Sequence, residues 1–296
     1  MKLLAFLILL FTTNLALSQV QIVAEQDQER NLTLFAFNKE QIPYLIRIEF
    51  LKLENLESFD GRVVFGVANP GKSTLVKLRS IYVNEQTGFQ YNTKLFKGNY
   101  QLGAFANPPY LIPVEEGTIL SMRPLVAQIL QKGSNSASEN YTGVVFYFDK
   151  PAAICAPRKG IVSEIKMDGI FTSSGPSTFD KENFVEIYHQ DGTFSRLTGL
   201  SANSAKVAVG ETVFPGQVLA QSSLQADQQL HHVKMIQSRW EMGEMDMVWV
   251  NFPVTIYASQ QKVQTDTAAS DLESSHPAEI VSKEMDKKEL KKISFK

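Results

Sequence analysis

Apolar and polar residues alternate along much of this chain, and the alternation predicts strands. Between residues 44 and 50, apolar side chains recur at every second position with charged ones between them. A period of two is typical of a half-buried strand. The same pattern predicts strands at residues 32–37, 62–67, 75–83 and 89–96. Turn-forming residues separate these short strands, so we expect residues 19–113 to form a β-sandwich-like domain.

The first 18 residues have a different pattern, that of a secretion signal. Lys2 provides a positive charge, residues 3–11 are apolar, and Ala16 and Ser18 are the small residues that a signal peptidase requires. The apolar run is too short to span a bilayer, and no later stretch reaches about 18 apolar residues. We therefore expect a signal peptide at residues 1–18, no integral membrane segment, and an exported protein that is periplasmic or secreted.

The remaining residues divide into three further segments. A polar, Pro- and Gly-containing stretch predicts a connector at residues 114–140, and a second β-rich domain follows at residues 141–258. Beyond residue 258 apolar residues become sparse and charges of both signs are mixed. Such a composition buries too little apolar surface to order itself, so we expect a disordered charged tail at residues 259–296.

Composition excludes several classes of function. The 29 Lys and Arg residues nearly balance the 31 Asp and Glu residues, which argues against a nucleic-acid partner because such a protein needs a basic face. The single cysteine, Cys155, rules out an intramolecular disulfide and a thiolate metal cage. It falls in a predicted core strand, where we expect a small buried side chain and not a nucleophile.

Residues 66–73 read GVANPGKS and match the phosphate-loop pattern G-x-x-x-x-G-K-[ST]. Phosphate binding by this loop needs a helix directly after it, whose N-terminal amide groups meet the phosphates. The residues that follow are rich in β-branched and other strand-forming types. We therefore interpret residues 66–73 as a turn between two strands.

Three motifs in the second half of the chain lie in a recognisable order. Residues 154–162 read ICAPRKGIV, residues 184–192 read FVEIYHQDG, and residues 206–219 read KVAVGETVFPGQVL. They resemble, in turn, the V-Y-A-x-x-x-G-x-V, H-G-D-G and V-x-V-G-D-x-V-x-x-G-Q-x-I segments of the lysostaphin-like (LytM-type) zinc endopeptidases, which cut peptidoglycan. The resemblance implies a mostly-β fold, with the family's duplicated hybrid motif as the β core of the second domain.

The same resemblance implies that most of the family's zinc site is missing. The H-x-x-x-D element aligns with Tyr141 and Val145, and the catalytic histidine of Y-x-H-L-S aligns with Gly199. The H-L-H-F-E element places Gln229 at its first histidine and His231 at the third zinc ligand. Catalytic zinc needs about three protein ligands, and His231 alone is retained. We therefore expect no metal and no catalytic residue.

The replaced positions predict what the former cleft offers. Val145 and Gly199 should make its floor smaller and more apolar, whereas Tyr141, Gln229 and His231 are candidate binding residues because they can form hydrogen bonds. His232 follows His231 on a predicted strand, so the two side chains should point to opposite faces. They cannot both ligate one ion.

The resemblance implies an exported, catalytically inactive relative of these endopeptidases. Its expected partner is peptidoglycan or an envelope hydrolase that it regulates or positions. Two alternatives stay open. One is a divergent zinc-dependent peptidoglycan endopeptidase with another metal site, and the other is a structural envelope protein or adaptor. We expect no cofactor, except zinc under the first alternative.

Overall fold

The computed structural model describes residues 19–100, 108–127, 141–169, 182–224, 230–244 and 246–293. The predicted signal peptide and Gln229 lie outside these ranges. The described residues are mostly strands, which confirms the predicted fold class. They form two compact units, the first ending at Leu95 and the second beginning at Phe96.

The first unit contains two antiparallel sheets. Its strands are β1 (Val20–Gln26), β2 (Leu32–Asn38), β3 (Tyr44–Glu54), β4 (Leu56–Ser58), β5 (Val63–Ala68), β6 (Gly71–Ser80) and β7 (Gly88–Lys97). One sheet has the order β1-β2-β6-β4 and the other β5-β3-β7. Every second side chain of β2 is buried, and Leu34, Ile46 and Leu78 are at most 1% exposed. The alternating pattern thus gives each sheet one apolar face, as predicted.

The turn interpretation of residues 66–73 is confirmed. The stretch begins in β5 and ends in β6, so a strand follows it where a phosphate loop requires a helix. Asn69 and Ser73 close the turn, with the Asn69 backbone N–H donating to Ser73 Oγ at 3.0 Å. No helix N-terminus is available here to meet a phosphate.

The second unit is built around one large sheet. Its strands are β8 (Tyr110–Leu111), β9 (Ile119–Val126), β10 (Tyr141–Phe148), β11 (Ala153–Cys155), β12 (Gly160–Lys166), β13 (Phe184–Tyr188), β14 (Phe194–Thr198), β15 (Thr212–Val213), β16 (Val218–Gln221), β17 (Ser223–Leu224), β18 (His231–Met242), β19 (Met247–Asn251), β20 (Thr255–Ala258), β21 (Gln261–Gln264) and β22 (Ala269–Glu273). The large sheet has the order β15-β12-β13-β14-β18-β10-β9-β22, and β17 and β19 also pair with β18.

Smaller sheets close the core beneath the large one. Strands β11 and β16 pair with each other. Strand β20 lies between β8, to which it runs parallel, and β21. The core contains Phe146, Ile154, Leu197 and Met235, all fully buried. Two short helices follow, α1 (Ala278–Val281) and α2 (Lys287–Ile293). Within the described ranges no helix has the length and hydropathy to cross a bilayer.

The predicted connector at residues 114–140 differs from the structure. Strand β9 occupies residues 119–126 and lies inside the large sheet, paired with β10 on one side and β22 on the other. Strand β8, placed by the prediction in the first domain, pairs with β20 of the second unit. The Pro and Gly residues near these strands predicted a linker. The prediction failed because strands as short as β8 and β9 need only a few alternating residues between such turn formers.

The predicted disordered tail also differs from the structure. Residues 261–264 and 269–273 are strands, and Leu272 lies in the core with 5% exposure. Ser274 is fully buried, and its hydroxyl donates to the Val114 carbonyl at 2.7 Å. The segment buries few apolar side chains of its own. It is ordered because an existing sheet edge offers it a hydrogen-bonding partner, which composition alone does not reveal.

We expect Leu272→Ala to lower the free energy of unfolding by roughly 2–4 kcal/mol, since the side chain leaves a cavity in the core. Leu290→Ala is the matched control, because Leu290 is 37% exposed; it should change stability by less than about 0.5 kcal/mol. Urea titration measures both. Equal, small effects would mean that the segment beyond residue 258 does not belong to the core.

Candidate functional site

The candidate site lies on the face of the large sheet that points away from the core. Val145 pairs with Lys234 across β10 and β18, and Lys234 pairs with Thr198 across β18 and β14. Directly paired residues project to the same side of a sheet. We call this side the outward face, formed on strands β10, β13, β14 and β18 by Val145, Tyr147, Phe184, Glu186, Tyr188, Phe194, Arg196, Thr198, His232 and Lys234.

A buried ion pair occupies the middle of the outward face. The Lys234 ammonium contacts the carboxylate of Glu182, whose side chain is only 3% exposed. The Thr198 hydroxyl donates to the second carboxylate oxygen of Glu182 at 2.6 Å. Both oxygens of this carboxylate are therefore engaged, which offsets the cost of removing the charge from water.

His232 lies beside this pair and is 5% exposed. Burial and the Lys234 charge lower its pKa to about 4, so the ring is neutral at pH 7. A Cβ atom added to Gly199 would lie 2.8 Å from His232 Nε2, and Gly199 has a φ of +79°. The ring of His232 thus fills the space into which a side chain at Gly199, the aligned catalytic position, would extend.

Glu186 forms a second charged centre on the outward face. Its carboxylate accepts hydrogen bonds from Lys97 Nζ at 2.5 Å and from Arg196 Nη2 at 2.7 Å. The Ser163 hydroxyl donates to it as well, at 2.9 Å. Burial alone would raise the pKa of Glu186, but the charges of Lys97 and Arg196 outweigh burial and lower it. The carboxylate is therefore ionised and fully partnered from within the chain.

Residues Phe96–Asn99 of the second unit run across this face. Trp240 Nε1 donates to the Lys97 carbonyl at 3.0 Å, and the Asn99 N–H donates to the Tyr188 hydroxyl at 3.3 Å. A Cβ on Gly98 would come within 2.8 Å of the Phe194 ring, so only glycine lets the backbone lie this close. The chain's own backbone thus covers part of the outward face.

Aromatic rings support this covering segment. Phe96 meets Trp240 edge-on at 5.0 Å, and Trp240 meets Trp249 at 4.9 Å between ring centroids. Trp249 also contacts Phe194 at 5.2 Å. Trp240 holds residue 97 in place through its hydrogen bond to the Lys97 carbonyl, whereas Trp249 is 39% exposed.

Tyr141 does not lie where the prediction placed it. Strict alternation would put it on the same face as Val145, but the register of β10 shifts between Tyr141 and Gly143. Such a bulge reverses the facing of the residues before it. Tyr141 is 4% exposed, and its hydroxyl donates to Thr265 Oγ1 at 2.9 Å. Burial raises its pKa to about 12, so it is a structural residue and not a cleft residue.

His231 points away from the outward face, as adjacent residues in a strand must. Its ring stacks on Phe148 at 6.3 Å, and its Nδ1 lies 3.3 Å from Ser222 Oγ. The histidine that faces Gly199 and Lys234 is His232. His231, the retained position of the aligned motif, therefore lies on the opposite face from Val145, and Lys234, three residues further along β18, was not among the predicted site residues. Gln229, the third candidate binding residue, lies outside the described residues.

Cys155 is the small buried side chain that the sequence predicts, and His189 is buried as well. Cys155 is 2% exposed in β11, and burial raises its pKa to about 12. A thiol with such a pKa is not a nucleophile. His189 is fully buried, with Nε2 2.7 Å from Ser195 Oγ and Nδ1 2.7 Å from the Lys159 carbonyl. Burial and the Arg158 charge lower its pKa to about 3. The contact between this histidine and serine lies in the interior, since both side chains are fully buried.

The outward face does not fit a catalytic zinc ion. A zinc ligand set needs about three neutral or anionic donors around a shared point. Here Val145 has no donor atom, and Lys234 brings a positive charge that Glu182 already neutralises. Across the described ranges, no three His, Cys, Asp or Glu side chains are grouped so as to hold a metal. The predicted floor was apolar, whereas the face is charged and internally paired.

No protein-family model matches the chain, and no curated protein matches it either. Among solved structures, it is similar to a chain of the SpoIIQ–SpoIIIAH pore forming complex, at 18% identity over 49% of this chain and 89% of that one, with a TM-score of 0.32. It is similar to Csd3 from Helicobacter pylori at 10% identity over 74% and 70%, with a TM-score of 0.32.

A third similar structure is a Pseudomonas aeruginosa protein assigned to peptidase M23. It shares 14% identity over 65% of this chain and 82% of its own length, with a TM-score of 0.28. Scores this low establish no common architecture. The character of the site therefore depends on the contacts described above.

Lys234→Met should lower the free energy of unfolding by roughly 2–4 kcal/mol, because it leaves the Glu182 carboxylate buried without its cation. Lys262→Met is the control, since Lys262 is an exposed lysine on β21. Adding Glu182→Leu to Lys234→Met should restore part of the loss. Chemical denaturation of the unmodified protein, Lys234→Met, Glu182→Leu and the double variant measures this coupling, and strictly additive effects would contradict it.

Stability should fall as pH drops from about 6.5 towards 4. The pKa of His232 is about 4 in the folded chain and 6.5 when unfolded, so the unfolded chain binds more protons in this window. His232→Gln should therefore reduce the loss of unfolding free energy between pH 7 and pH 5 by roughly 1–2 kcal/mol. His231→Gln is the control. A pH dependence unchanged by His232→Gln would show that this ring is not kept neutral.

Proposed function

We propose that this chain is an exported, non-catalytic envelope protein that acts by binding a cell-wall hydrolase, which it regulates or positions. It retains the motifs of a LytM-type β core, but its former catalytic face has become structural. The observation that carries this proposal is the Lys234–Glu182 ion pair opposite Val145. A lysine bound to a buried carboxylate lies opposite Val145, which aligns with the aspartate ligand of the family's zinc site.

The choice of a protein partner over peptidoglycan follows from the covering segment. Residues 96–99 lie across the outward face, and Lys97 engages Glu164 as well as Glu186. An extended peptide that entered from solution would have to displace this segment and its hydrogen bonds. A wall peptide is therefore the weaker candidate for the cleft, and the remaining exposed surface is available to a folded partner.

The first experiment measures metal and activity together. We expect the purified protein to carry far less than one zinc per chain, to keep its melting temperature in EDTA, and to leave purified sacculi undigested. Lys234→His/Val145→Asp is the informative companion variant, because it places two zinc-binding residues opposite each other. Stoichiometric zinc in the unmodified protein, with sacculus digestion, would instead establish the divergent endopeptidase.

The second experiment tests the partner. We expect the protein to change the rate at which a purified envelope amidase or endopeptidase digests sacculi by at least threefold, and to bind that enzyme directly. It should sediment with sacculi no more than a size-matched inert protein does. Strong sedimentation with sacculi and no effect on any hydrolase would favour direct peptidoglycan binding. No effect in either assay would favour the structural envelope protein.

A further inference from the structure

The segment that follows the last strand is attached to the core by charge. We call residues 277–293 the strap; it contains α1 and α2. None of its residues from 277 to 291 is fully buried, and α1 has no buried residue. Its polar contacts to the core run through Glu284 and Glu289, which pair with Arg158 and Lys159. No fully buried apolar side chain between residues 277 and 291 reinforces these ion pairs.

Arg158 differs from an ordinary surface cation because its side chain is only 4% exposed. One edge of its guanidinium is fixed by the core. Nη1 donates to Asp191 at 2.7 Å, to the Tyr110 hydroxyl at 3.2 Å and to Thr193 at 3.4 Å. These partners hold the guanidinium in one orientation whether or not the strap is in place.

The other edge of the guanidinium is used by the strap alone. Nε donates to one oxygen of Glu284 at 2.7 Å, and Nη2 donates to the other at 2.6 Å. This parallel, two-point geometry is the strongest way in which arginine binds a carboxylate. Lys159 Nζ extends the site by donating to the Glu284 carbonyl at 3.1 Å and to the Glu289 carboxylate at 2.7 Å.

We propose that Arg158 and Lys159 form a binding site for an acidic peptide segment of a partner protein, and that the strap occupies this site as a displaceable internal ligand. The seated peptide defines the ligand: two carboxylates five residues apart, with a backbone carbonyl between them. Displacement leaves Arg158 paired with Asp191, so the fold survives an empty site. This inference stands on the strap contacts and does not depend on the hydrolase role proposed above.

The test opens the site without changing Arg158 or Lys159. The full chain with Glu284→Gln/Glu289→Gln is titrated with a fluorescent synthetic peptide of residues 277–293, followed by anisotropy. We expect it to bind the peptide at least tenfold more tightly than the unmodified chain, whose own strap competes at high effective concentration. Glu284→Gln alone, a milder change, should give intermediate affinity.

Two controls separate a site from general charge attraction. Glu279→Gln removes one charge from an exposed position of the strap, as Glu284→Gln removes one from the site, and should bind no more peptide than the unmodified chain. A peptide with glutamine at positions 284 and 289 should bind the opened chain at least tenfold more weakly. Hydrogen exchange at residues 278–291 should rise in the opened chain only. Equal binding by the opened chain and the Glu279→Gln control, or equal binding of the two peptides, would overturn the proposal.

Discussion

A carboxylate removed from water must be neutralised, and two buried glutamates impose this requirement on the second unit. Glu182 and Glu186 are each less than 5% exposed on one face of the large sheet. Lys234 neutralises the first, and Lys97 together with Arg196 neutralises the second. Because Lys97 belongs to the segment that crosses the sheet, the same constraint orders that segment, which covers part of the face.

Alternation of apolar and polar residues was sufficient to predict the mostly-β class and strands β2, β3, β5, β6 and β7, whereas β1 and β4 were not predicted. The alternation did not predict strands that are ordered by pairing with a strand far away in the sequence. Strand β22 contributes little apolar surface beyond Leu272, yet it completes the edge beside β9. A local pattern cannot report such pairing. The predicted boundaries at residues 113 and 258 were therefore placed where composition changes, whereas the β21-β20-β8 sheet joins residues on both sides of each boundary.

The site was predictable by kind but not by residue. Val145 lies opposite Lys234, Gly199 lies against the His232 ring, and the adjacent histidines face opposite sides of the strand. Tyr141 was misplaced because a bulge is invisible to strict alternation. Lys234 was missed because the aligned motif ended its ligand set at His231, three residues earlier and on the opposite face of β18. No motif near Glu182 in the sequence indicates that it pairs with Lys234, because only the folded sheet brings the two side chains together.

The pairing of β9 with β22 also governs when the second unit can form. Residues 119–126 hydrogen-bond to residues 269–273. Strand β8 likewise pairs with β20, which comes much later in the sequence. Contacts between segments so far apart in sequence can form only after a large loop has closed. The chain loses conformational entropy on closing that loop before the contacts stabilise it, which slows folding. During synthesis the emerging chain therefore presents an open sheet edge at β9 until residue 273 is available. An unpaired strand edge can pair with the same edge of another newly made chain, which leads to aggregation. This topology therefore exposes the nascent protein to aggregation until β22 is in place.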